Sequence, residues 1–301
     1  MTTLKLALDW TPNVNHIGFF IAKEKGFYNA EGISLDIINP LDDNYKLTPG
    51  KKLELEIADF AIAPFETVIS LNNKQNVVNA VAIYAILQED LSSIASLKSN
   101  NLTSPKLLDG KIYASYKARY EDKIIQELVK NNGGTGNFKI TYPDKLGIWN
   151  RLINGEADAT WIFDNWEGIE AKGKNIALHT WSLKDSDIPY GYSPVVLAKK
   201  EVLERKKEAC LNFIKATKKG FLFAGDHIDE SVKILEKYVT DYDKENINLK
   251  ETILATKAYF GTEKTCGFMN SERVSSFLNW LVSRKLENQK ILNQNLYQNL
   301  L

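Results

Sequence analysis

The stretch from Leu6 to Ile38 constrains the fold of this chain more than any other. A short apolar run, Leu4 to Leu8, leads into this stretch and is followed by a polar loop. The next apolar run, Ile17 to Ala22, has helical spacing, and the run from Ser34 to Ile38 is strand-like. The order strand, loop, helix, strand is typical of α/β proteins, so we predict an α/β fold.

Side chains that can bind a ligand are concentrated in the loop after the first strand. They are Asp9, Trp10, Asn13, Asn15 and His16. In an open α/β sheet, ligands bind where strands end and loops begin. We therefore predict that this loop forms the first wall of a binding site.

Length and charge narrow the possible architectures and partners. A chain of 301 residues favours two lobes of roughly 100 to 150 residues. We assign lobe 1 to residues 1–88 and 194–301, and lobe 2 to residues 89–193. No apolar run approaches the roughly 18 residues of a transmembrane helix. Because Lys+Arg and Asp+Glu are equal at 38 each, no nucleic-acid partner is expected.

The two cysteines and the N-terminus give further expectations. Cys210 and Cys266 lack the paired spacing of a zinc site, so we predict two buried thiols and no metal. The first ten residues contain no basic segment and no secretory apolar core. Either the protein is cytoplasmic, or it is periplasmic or on the cell surface and an export signal has been removed.

Two segments resemble each other within the chain. Residues 55–63 and 154–163 both contain an acidic residue, then Ala-Asp, then an apolar strand. This similarity predicts equivalent strands in two similar lobes, with both strand ends directed at one cleft. Candidate ligand residues lie at or after the end of each strand and in a later aromatic turn: Pro64, Phe65 and Glu66; Trp161, Asp164, Trp166 and Glu167; Tyr190 and Tyr192. Glu66 has two open interpretations, as a helix-start charge or as a ligand acceptor.

The remaining patterns predict ordinary elements. Residues 78–87 should form a strand, residues 120–131 an amphipathic helix, and residues 181–187 a polar connector. The glycine cluster at 133–136 follows a helix and lacks a following Lys-Ser/Thr, so it favours a helix cap over a phosphate loop. Four helices are predicted after residue 200, at 201–224, 228–239, 249–260 and 271–284. The last residues, from 288, either close onto the first lobe or fray.

Common catalytic motifs are absent from the sequence. It contains no G-x-S-x-G, Walker loop, H-E-x-x-H or strand-associated G-x-G-x-x-G. His179 and His227 favour structural roles, whereas His16 shares its loop with Asp9 and Trp10. Aromatic, carboxylate and amide side chains at strand ends suit a flat, neutral, nitrogen-rich heterocycle, which can stack on rings and donate N–H groups. We predict no cofactor.

The stretch LDWTPNVNHIGFFIAKEKGFYNAEGISLDI resembles the opening of the thiamine-pyrimidine-precursor family. This family includes formylaminopyrimidine-binding proteins of ABC importers and hydroxymethylpyrimidine phosphate synthases. The similarity continues through IADFAIAPFETVIS and GEADATWIFDNWEGIEA and covers roughly residues 4 to 200. It implies a type II periplasmic-binding-protein fold with ligand in the cleft between two lobes, and an ABC permease as a possible partner.

The sequence departs from the synthase branch at its chemical positions. Synthases of this family have a lysine after the second-motif strand that holds pyridoxal phosphate, and a histidine shortly after it. Here Ala63 or Pro64 and Glu66 or Thr67 fill those places, and no lysine occurs between Lys52 and Lys74. The synthases also have a cysteine-rich run after the second lobe, which this chain lacks. They have a glycine-bearing turn that binds phosphate after the strand at 112–115, and here residues 116–119 take its place. A binding protein is therefore favoured, and a synthase-like enzyme is the alternative.

The resulting hypothesis assigns a role to each group of side chains. Trp10 and one of Tyr190, Tyr192 or Trp166 sandwich the ring. The acceptors are Asp9, Glu66, Asp164 and Glu167, with Asn15 and His16 at the rim. A third interpretation is a binder of a sulfonate or another anion, for which Lys117 and Arg119 are the nearby cations.

Overall fold

The computed structural model describes residues 1–300, which form two compact units. The first unit contains Met1–Asp90, Gly191–Val274 and the C-terminal residues from Lys290. The second unit contains Leu91–Tyr190 and Ser275–Gln289. The lobe boundaries predicted from the sequence stay a prediction, and the structure groups residues 275–289 differently from them.

Strands are found in both units. In chain order they are β1 Thr2–Ala7, β2 Ile33–Ile38, β3 Phe60–Ala63, β4 Ala80–Ala85, β5 Ser92–Leu97, β6 Ile112–Ala114, β7 Lys139–Thr141, β8 Ala159–Phe163, β9 Leu178–Trp181 and β10 Val195–Lys199. The helices before residue 180 are α1 Ile17–Glu24, α2 Phe27–Ala30, α3 Pro49–Glu54, α4 Glu66–Asn72, α5 Glu121–Asn131, α6 Ile148–Ile153 and α7 Glu167–Gly173. The later helices are α8 Lys200–Arg205, α9 Lys207–Asp226, α10 Ile228–Leu235, α11 Asp241–Asn246, α12 Leu249–Thr256 and α13 Ser271–Ser283.

Both sheets have the same strand arrangement. The first unit has the order β2-β1-β3-β10-β4, and the second has β7-β6-β8-β5-β9. In each sheet the second strand pairs in parallel with both neighbours, and the fourth strand pairs antiparallel with both neighbours. The predicted α/β class is therefore confirmed, and each unit is a mixed sheet covered by helices.

The similarity between residues 55–63 and 154–163 reflects this shared arrangement. The Asp59 N–H donates to the Lys5 carbonyl at 3.0 Å, and Asp59 Oδ2 accepts the Lys5 N–H at 2.9 Å. Asp158 makes the same pair of hydrogen bonds to the Ile112 backbone, both at 2.8 Å. Each aspartate therefore joins the start of one strand to its parallel neighbour, as equivalent positions require.

Aromatic packing dominates the core of the first unit. The Phe213 ring of α9 stacks on Phe60 of β3, with centroids 4.3 Å apart, and Phe221 meets Phe19 of α1 edge-on at 5.2 Å. Helices α1 and α9 approach so closely that a Cβ at Gly220 would lie 2.0 Å from the Gly18 carbonyl oxygen. The apolar helical spacing after Ile17 therefore encodes a contact between two helix backbones.

The second unit has its own hydrophobic core. Trp149 and Leu152 of α6 and Ala171 of α7 pack on Ala95 of β5 and Ile162 of β8. Glu167 begins α7, and Ile169 and Ala171 of the same helix are buried. Helices α6 and α7 are therefore anchored on the second sheet by apolar side chains.

Several predicted element boundaries were wrong. The helix predicted over 201–224 is interrupted at Lys206, where α8 ends and α9 begins. Trp181 ends strand β9 and is not the start of a connector, because its residues pair with β5. The C-terminal segment closes onto the first unit: the Ala82 N–H donates to the Leu296 carbonyl, and the Gln298 N–H donates to the Ala82 carbonyl.

Candidate functional site

One edge of each sheet gathers the predicted ligand residues. In the first unit, Val195 at the start of β10 pairs with Ala63 and Ala85, so β3 and β4 end where β10 begins. Strand β1 runs parallel to β3 and ends at the same edge. We call this the carboxyl edge of the first sheet. The loops that follow β1 and β3 both lie there.

Local capping shapes the loop after β1. Asn13 is the N-cap of a short 3-10 helix, and its side-chain oxygen accepts the Asn15 N–H at 2.9 Å. His16 Nδ1 accepts the Asn13 N–H at 3.3 Å, so the other ring nitrogen bears the proton in the neutral tautomer. His16 Nε2 then donates to Asp9 Oδ1 at 2.8 Å.

His16 and Asn15 are both buried. His16 has an exposed fraction of 0%, and Asn15 is also buried. Their predicted place at the rim of a ligand site stays a prediction. The burial of His16 has a local reason: the cap at Asn13 turns the histidine ring inward, where it supports the Asp9 carboxylate.

Asp9 presents one oxygen that the described protein does not use. Its side chain is 22% exposed, and the hydrogen bond from His16 reaches Oδ1 only. Within residues 1–300, Oδ2 has no hydrogen-bond donor. Trp10 is the next residue in the chain and is half-buried, with its ring 6.5 Å from that of Tyr45 in an edge arrangement. A carboxylate oxygen can accept a hydrogen bond from a flat N–H donor, and an indole can stack on such a donor.

The loop after β3 is tied to the aromatic turn before β10. The Phe65 N–H donates to the Tyr192 carbonyl at 2.9 Å, and Glu66 begins α4 in a buried position. The Tyr192 hydroxyl accepts the Asn270 N–H at 2.9 Å, and the Arg273 guanidinium lies 4.3 Å from its ring. Pro64, Phe65, Glu66 and Tyr192 are therefore brought together at the carboxyl edge of the first sheet. Tyr192 is held from both sides by the protein.

The second sheet has a matching carboxyl edge. Ser92 at the start of β5 pairs with Phe163 at the end of β8. Asp164 follows this strand, and its Oδ2 accepts the Ser93 hydroxyl at 2.6 Å. Desolvation raises the pKa of the Asp164 carboxyl, and the Ser93 hydrogen bond acts in the opposite direction. Asp164 Oδ1 has no hydrogen-bond donor within residues 1–300.

Glu167 resembles Glu66 in its position. It is the first residue of α7, it is buried, and its Oε2 accepts the Phe163 N–H at 3.0 Å. The carboxylate therefore accepts a hydrogen bond from one amide at the strand end, and the positive end of the helix dipole stabilises its charge.

The aromatic candidates of the second unit differ in accessibility. Tyr190 packs edge-on against Trp161 at 5.2 Å and against Phe277 at 5.5 Å, so its ring belongs to the core. Trp166 is also buried, whereas Trp161 is half-buried. Of these two candidate tryptophans, Trp161 is therefore the one whose side chain is partly accessible.

Sequence reasoning missed three residues of the second carboxyl edge. Ser93 holds Asp164, and its position became visible only when β5 was placed beside β8. Tyr116 follows β6; burial raises the pKa of its hydroxyl, and the charges of Glu167 and Glu121 raise it further. Glu121 starts α5, and its carboxylate turns back into the loop after β6. A carboxylate in the first helical turn was the only available signal for Glu121.

The described residues include neither a metal-binding cluster nor a membrane-spanning helix. Within residues 1–300, no group of three or more His, Cys, Asp and Glu side chains is arranged to hold a metal ion. No helix in the same range is long and apolar enough to cross a membrane. Cys210 and Cys266 are free and buried, as predicted.

Two relatives of this chain carry names that refer to pyrimidines. A formylaminopyrimidine-binding protein of Halalkalibacterium halodurans is 23% identical over 260 residues, which are 84% of this chain and 74% of that protein. A 4-amino-5-hydroxymethyl-2-methylpyrimidine phosphate synthase of Legionella pneumophila is 22% identical over 242 residues, which are 78% of this chain and 74% of that protein.

Solved structures show the same fold at low sequence identity. The alkanesulfonate-binding protein SsuA from Xanthomonas axonopodis pv. citri, bound to MOPS, has a TM-score of 0.73 at 11% identity and covers 99% of both chains. The periplasmic aliphatic sulphonate-binding protein SsuA from Escherichia coli has a TM-score of 0.68 at 13% identity, over 100% of this chain and 99% of that one. The predicted periplasmic-binding-protein fold is confirmed.

The family match covers most of the chain, including the loop after β1 from Asn13 onward and both strand-end carboxylate segments. The description NMT1/THI5 like matches residues 13–231. This range agrees with the resemblance seen in the sequence motifs, and the chain belongs to the NMT1/THI5 like family.

Proposed function

We propose that this protein binds a small nitrogen heterocycle of the aminopyrimidine class, as the substrate-binding component of an uptake or salvage system. One observation supports this most directly. Asp9 and Asp164 each accept a hydrogen bond on one oxygen from a buried side chain, and each leaves the other oxygen without a donor within residues 1–300. Each carboxylate also has an accessible indole nearby in the sequence, Trp10 or Trp161.

The chemistry of an aminopyrimidine matches these groups. Its exocyclic amine donates hydrogen bonds, which a carboxylate accepts strongly, and its flat ring stacks on an indole. A hydrogen bond to a charged group makes a net contribution of about 1.5–3 kcal/mol. The acceptor and the indole of the first unit, and those of the second unit, are separate candidates for contacts with the ligand. His16 and Ser93 would act by positioning the acceptors and would not contact the ligand.

The relatives support the same class of ligand. One named relative binds formylaminopyrimidine, and the solved structures of similar fold include periplasmic binding proteins for sulfonates. Periplasmic relatives favour a location outside the cytoplasmic membrane and an ABC permease as partner, and both belong to this proposal. The acceptor-rich carboxyl edges favour a donor-rich heterocycle over a sulfonate, because a sulfonate needs donors or cations.

A titration tests the proposal. Purified protein is titrated with 4-amino-5-hydroxymethyl-2-methylpyrimidine and with a formylaminopyrimidine, and binding is followed by tryptophan fluorescence and by calorimetry. We expect saturable binding with a dissociation constant in the micromolar range or below. An aliphatic sulfonate and a pyrimidine without the amino group are the matched controls. Heat and fluorescence changes that do not saturate with either aminopyrimidine would sink the proposal.

The synthase alternative needs a lysine that forms a Schiff base with pyridoxal phosphate. Ala63 and Pro64 occupy the strand end where the family resemblance places this lysine. The flanking lysines are engaged elsewhere: Lys52 pairs with Asp43 at 3.1 Å, and Lys74 pairs with Glu54. A visible absorption band that forms on adding pyridoxal phosphate, and that borohydride traps on a lysine, would favour the enzyme over the binding protein.

A further inference from the structure

The loop after β6 contains a carboxylate in the position where such loops bind anions. In α/β proteins, backbone N–H groups between a strand and the next helix are common anion donors. Here Glu121, the first residue of α5, is 2% exposed and directs its side chain into this loop.

Three donors converge on the Glu121 carboxylate. Oε1 accepts the Tyr113 hydroxyl at 2.8 Å and the Tyr116 N–H at 3.0 Å. Oε2 accepts the Ala118 N–H at 3.1 Å. The intervening Lys117 N–H donates to Ser115 Oγ at 3.0 Å, so it is also satisfied within the loop. These donors are therefore used by the chain itself.

A cation near this loop would favour an anion if Glu121 were absent. Lys145 lies close enough to Glu121 for its pKa to respond to that charge: burial lowers the pKa of the ammonium, and Glu121 raises it. Burial also raises the pKa of the Glu121 carboxyl, and the Ala118 and Tyr113 hydrogen bonds act in the opposite direction. The loop thus has amide donors and a nearby lysine. The Glu121 carboxylate accepts hydrogen bonds from the amides, and its charge acts on the lysine.

The glycine-rich turn of the second unit is filled in the same way. Asp109 Oδ2 accepts the Thr135 N–H at 2.5 Å, and Oδ1 accepts the Asn137 N–H at 2.8 Å. These hydrogen bonds lower the pKa of the Asp109 carboxyl. The loop after β6 and the glycine-rich turn of the second unit therefore each donate backbone N–H groups to one of the chain's own carboxylates.

We infer that Glu121 is a specificity-determining residue, an internal anion that keeps phosphorylated and other anionic ligands from the carboxyl edge of the second sheet. The inference rests on the proposed function, since it defines which aminopyrimidines are accepted. A second anion would meet the buried charge of Glu121 and would find the amides of Tyr116 and Ala118 already bonded. An uncharged aminopyrimidine alcohol is not repelled by the Glu121 charge and does not need these amides.

The experiment compares one alcohol, its phosphate ester and inorganic phosphate by calorimetry. The wild-type protein should bind 4-amino-5-hydroxymethyl-2-methylpyrimidine about 100-fold more tightly than its phosphate ester, and should not bind inorganic phosphate. Glu121→Gln keeps the side-chain shape and removes the charge. It should reduce the preference for the alcohol about tenfold and should create measurable binding of inorganic phosphate.

Asp122→Asn is the matched control. Asp122 is the next residue of α5, and it accepts the Ser115 and Tyr142 hydroxyls instead of the loop amides, so its loss should leave the preference unchanged. Equal binding of the alcohol and the ester by the wild-type protein would overturn the inference, and that measurement does not depend on whether a variant folds. So would a folded Glu121→Gln protein with wild-type preference.

The two proposals fail in different ways. If the alcohol, its ester and the formylaminopyrimidine all fail to bind to every variant, the proposed function fails. Inorganic phosphate then still decides the role of Glu121, because gain of phosphate binding in Glu121→Gln and not in Asp122→Asn supports it, and the same lack of binding in both overturns it.

Discussion

The loop after β1 and the loop after β6 occupy the same position in two sheets of identical strand order, and they hold their carboxylates differently. In the first, the His16 ring pins one oxygen of Asp9, and the other has no donor within residues 1–300. In the second, both oxygens of Glu121 are bonded to the loop. The same strand arrangement therefore carries two different loops. In one, a carboxylate oxygen has no donor within residues 1–300; in the other, the loop amides are bonded to a carboxylate of the chain.

The comparison extends to the strand starts and helix starts. Asp59 and Asp158 make the same two backbone hydrogen bonds, and Glu66 and Glu167 begin the helices that follow the equivalent strands. The turn before each strand also has a positive φ, 59° at Glu56 and 72° at Gly155. These residues occupy equivalent positions in the two sheets, whereas the side chains of the loops differ between them.

The largest expected effect is at Asp9. Asp9→Ala removes the accessible acceptor and leaves the buried His16 Nε2–H without its partner, so aminopyrimidine affinity should fall about 100-fold. Calorimetry measures the loss, and Asp36→Ala, an exposed carboxylate on β2, is the control that should bind normally. An Asp9→Ala protein that binds like the control would remove Asp9 from the site.

The backbone hydrogen bonds that the two sheets share can be removed at Asp158 or at Asp59. Asp158→Ala leaves the Ile112 N–H without its side-chain acceptor, so the free energy of unfolding should fall by about 2 kcal/mol. Asp59→Ala should cost at least as much, since Asp59 also pairs with Lys206 at 2.7 Å. Urea unfolding measures both. Asp144→Ala at an exposed position is the control, and equal stability of all three variants would contradict the stabilising role of both aspartates.

A smaller effect is expected at Ser93. Ser93→Ala removes the hydrogen bond that pins Asp164, worth about 1 kcal/mol, so affinity should fall about fivefold without a change in fold. Ser96→Ala on the same strand is the control, because Ser96 is buried and does not contact Asp164. If both serine variants bind equally well, the positioning role of Ser93 is wrong.

The smallest effect concerns pH. The pKa of Asp164 is raised by desolvation, so its carboxylate protonates at a higher pH than an exposed aspartate does. Because the protonated form is a poorer acceptor, affinity should decrease as the pH falls through this raised pKa. Calorimetry across the acidic range measures the decrease, and Asp164→Asn should flatten this part of the profile. An unchanged profile in Asp164→Asn would assign the pH dependence to another group.

Much of the fold was predictable because it depends on short-range pattern. Apolar runs, glycine turns and the repeated Ala-Asp motif located β1, β3, β8 and the helices near them. Element ends were less predictable: the break at Lys206 interrupts apolar spacing that continues on both sides, and β9 is stabilised by pairing with β5, which is distant in sequence. Pairing partners leave little trace in a local pattern.

The candidate site was predictable by residue type and less so by orientation. Asp9, Trp10, Glu66, Asp164 and Glu167 all follow strands, as the spacing indicated. Burial of His16, Trp166 and Tyr190 was not predictable, because it depends on a cap and on ring contacts made by residues elsewhere in the chain. Ser93 and Glu121 were missed for the same reason.

The sequence by itself determined that this is an α/β chain of the NMT1/THI5 like family with acceptors and aromatic residues at strand ends, because periodicity and motif spacing are local properties. Only the tertiary structure decided which acceptors are available. Whether the oxygen of a carboxylate is spare depends on donors brought to it by folding: the His16 ring beside Asp9, the Ser93 hydroxyl beside Asp164, and the Tyr113 hydroxyl with two loop amides around Glu121.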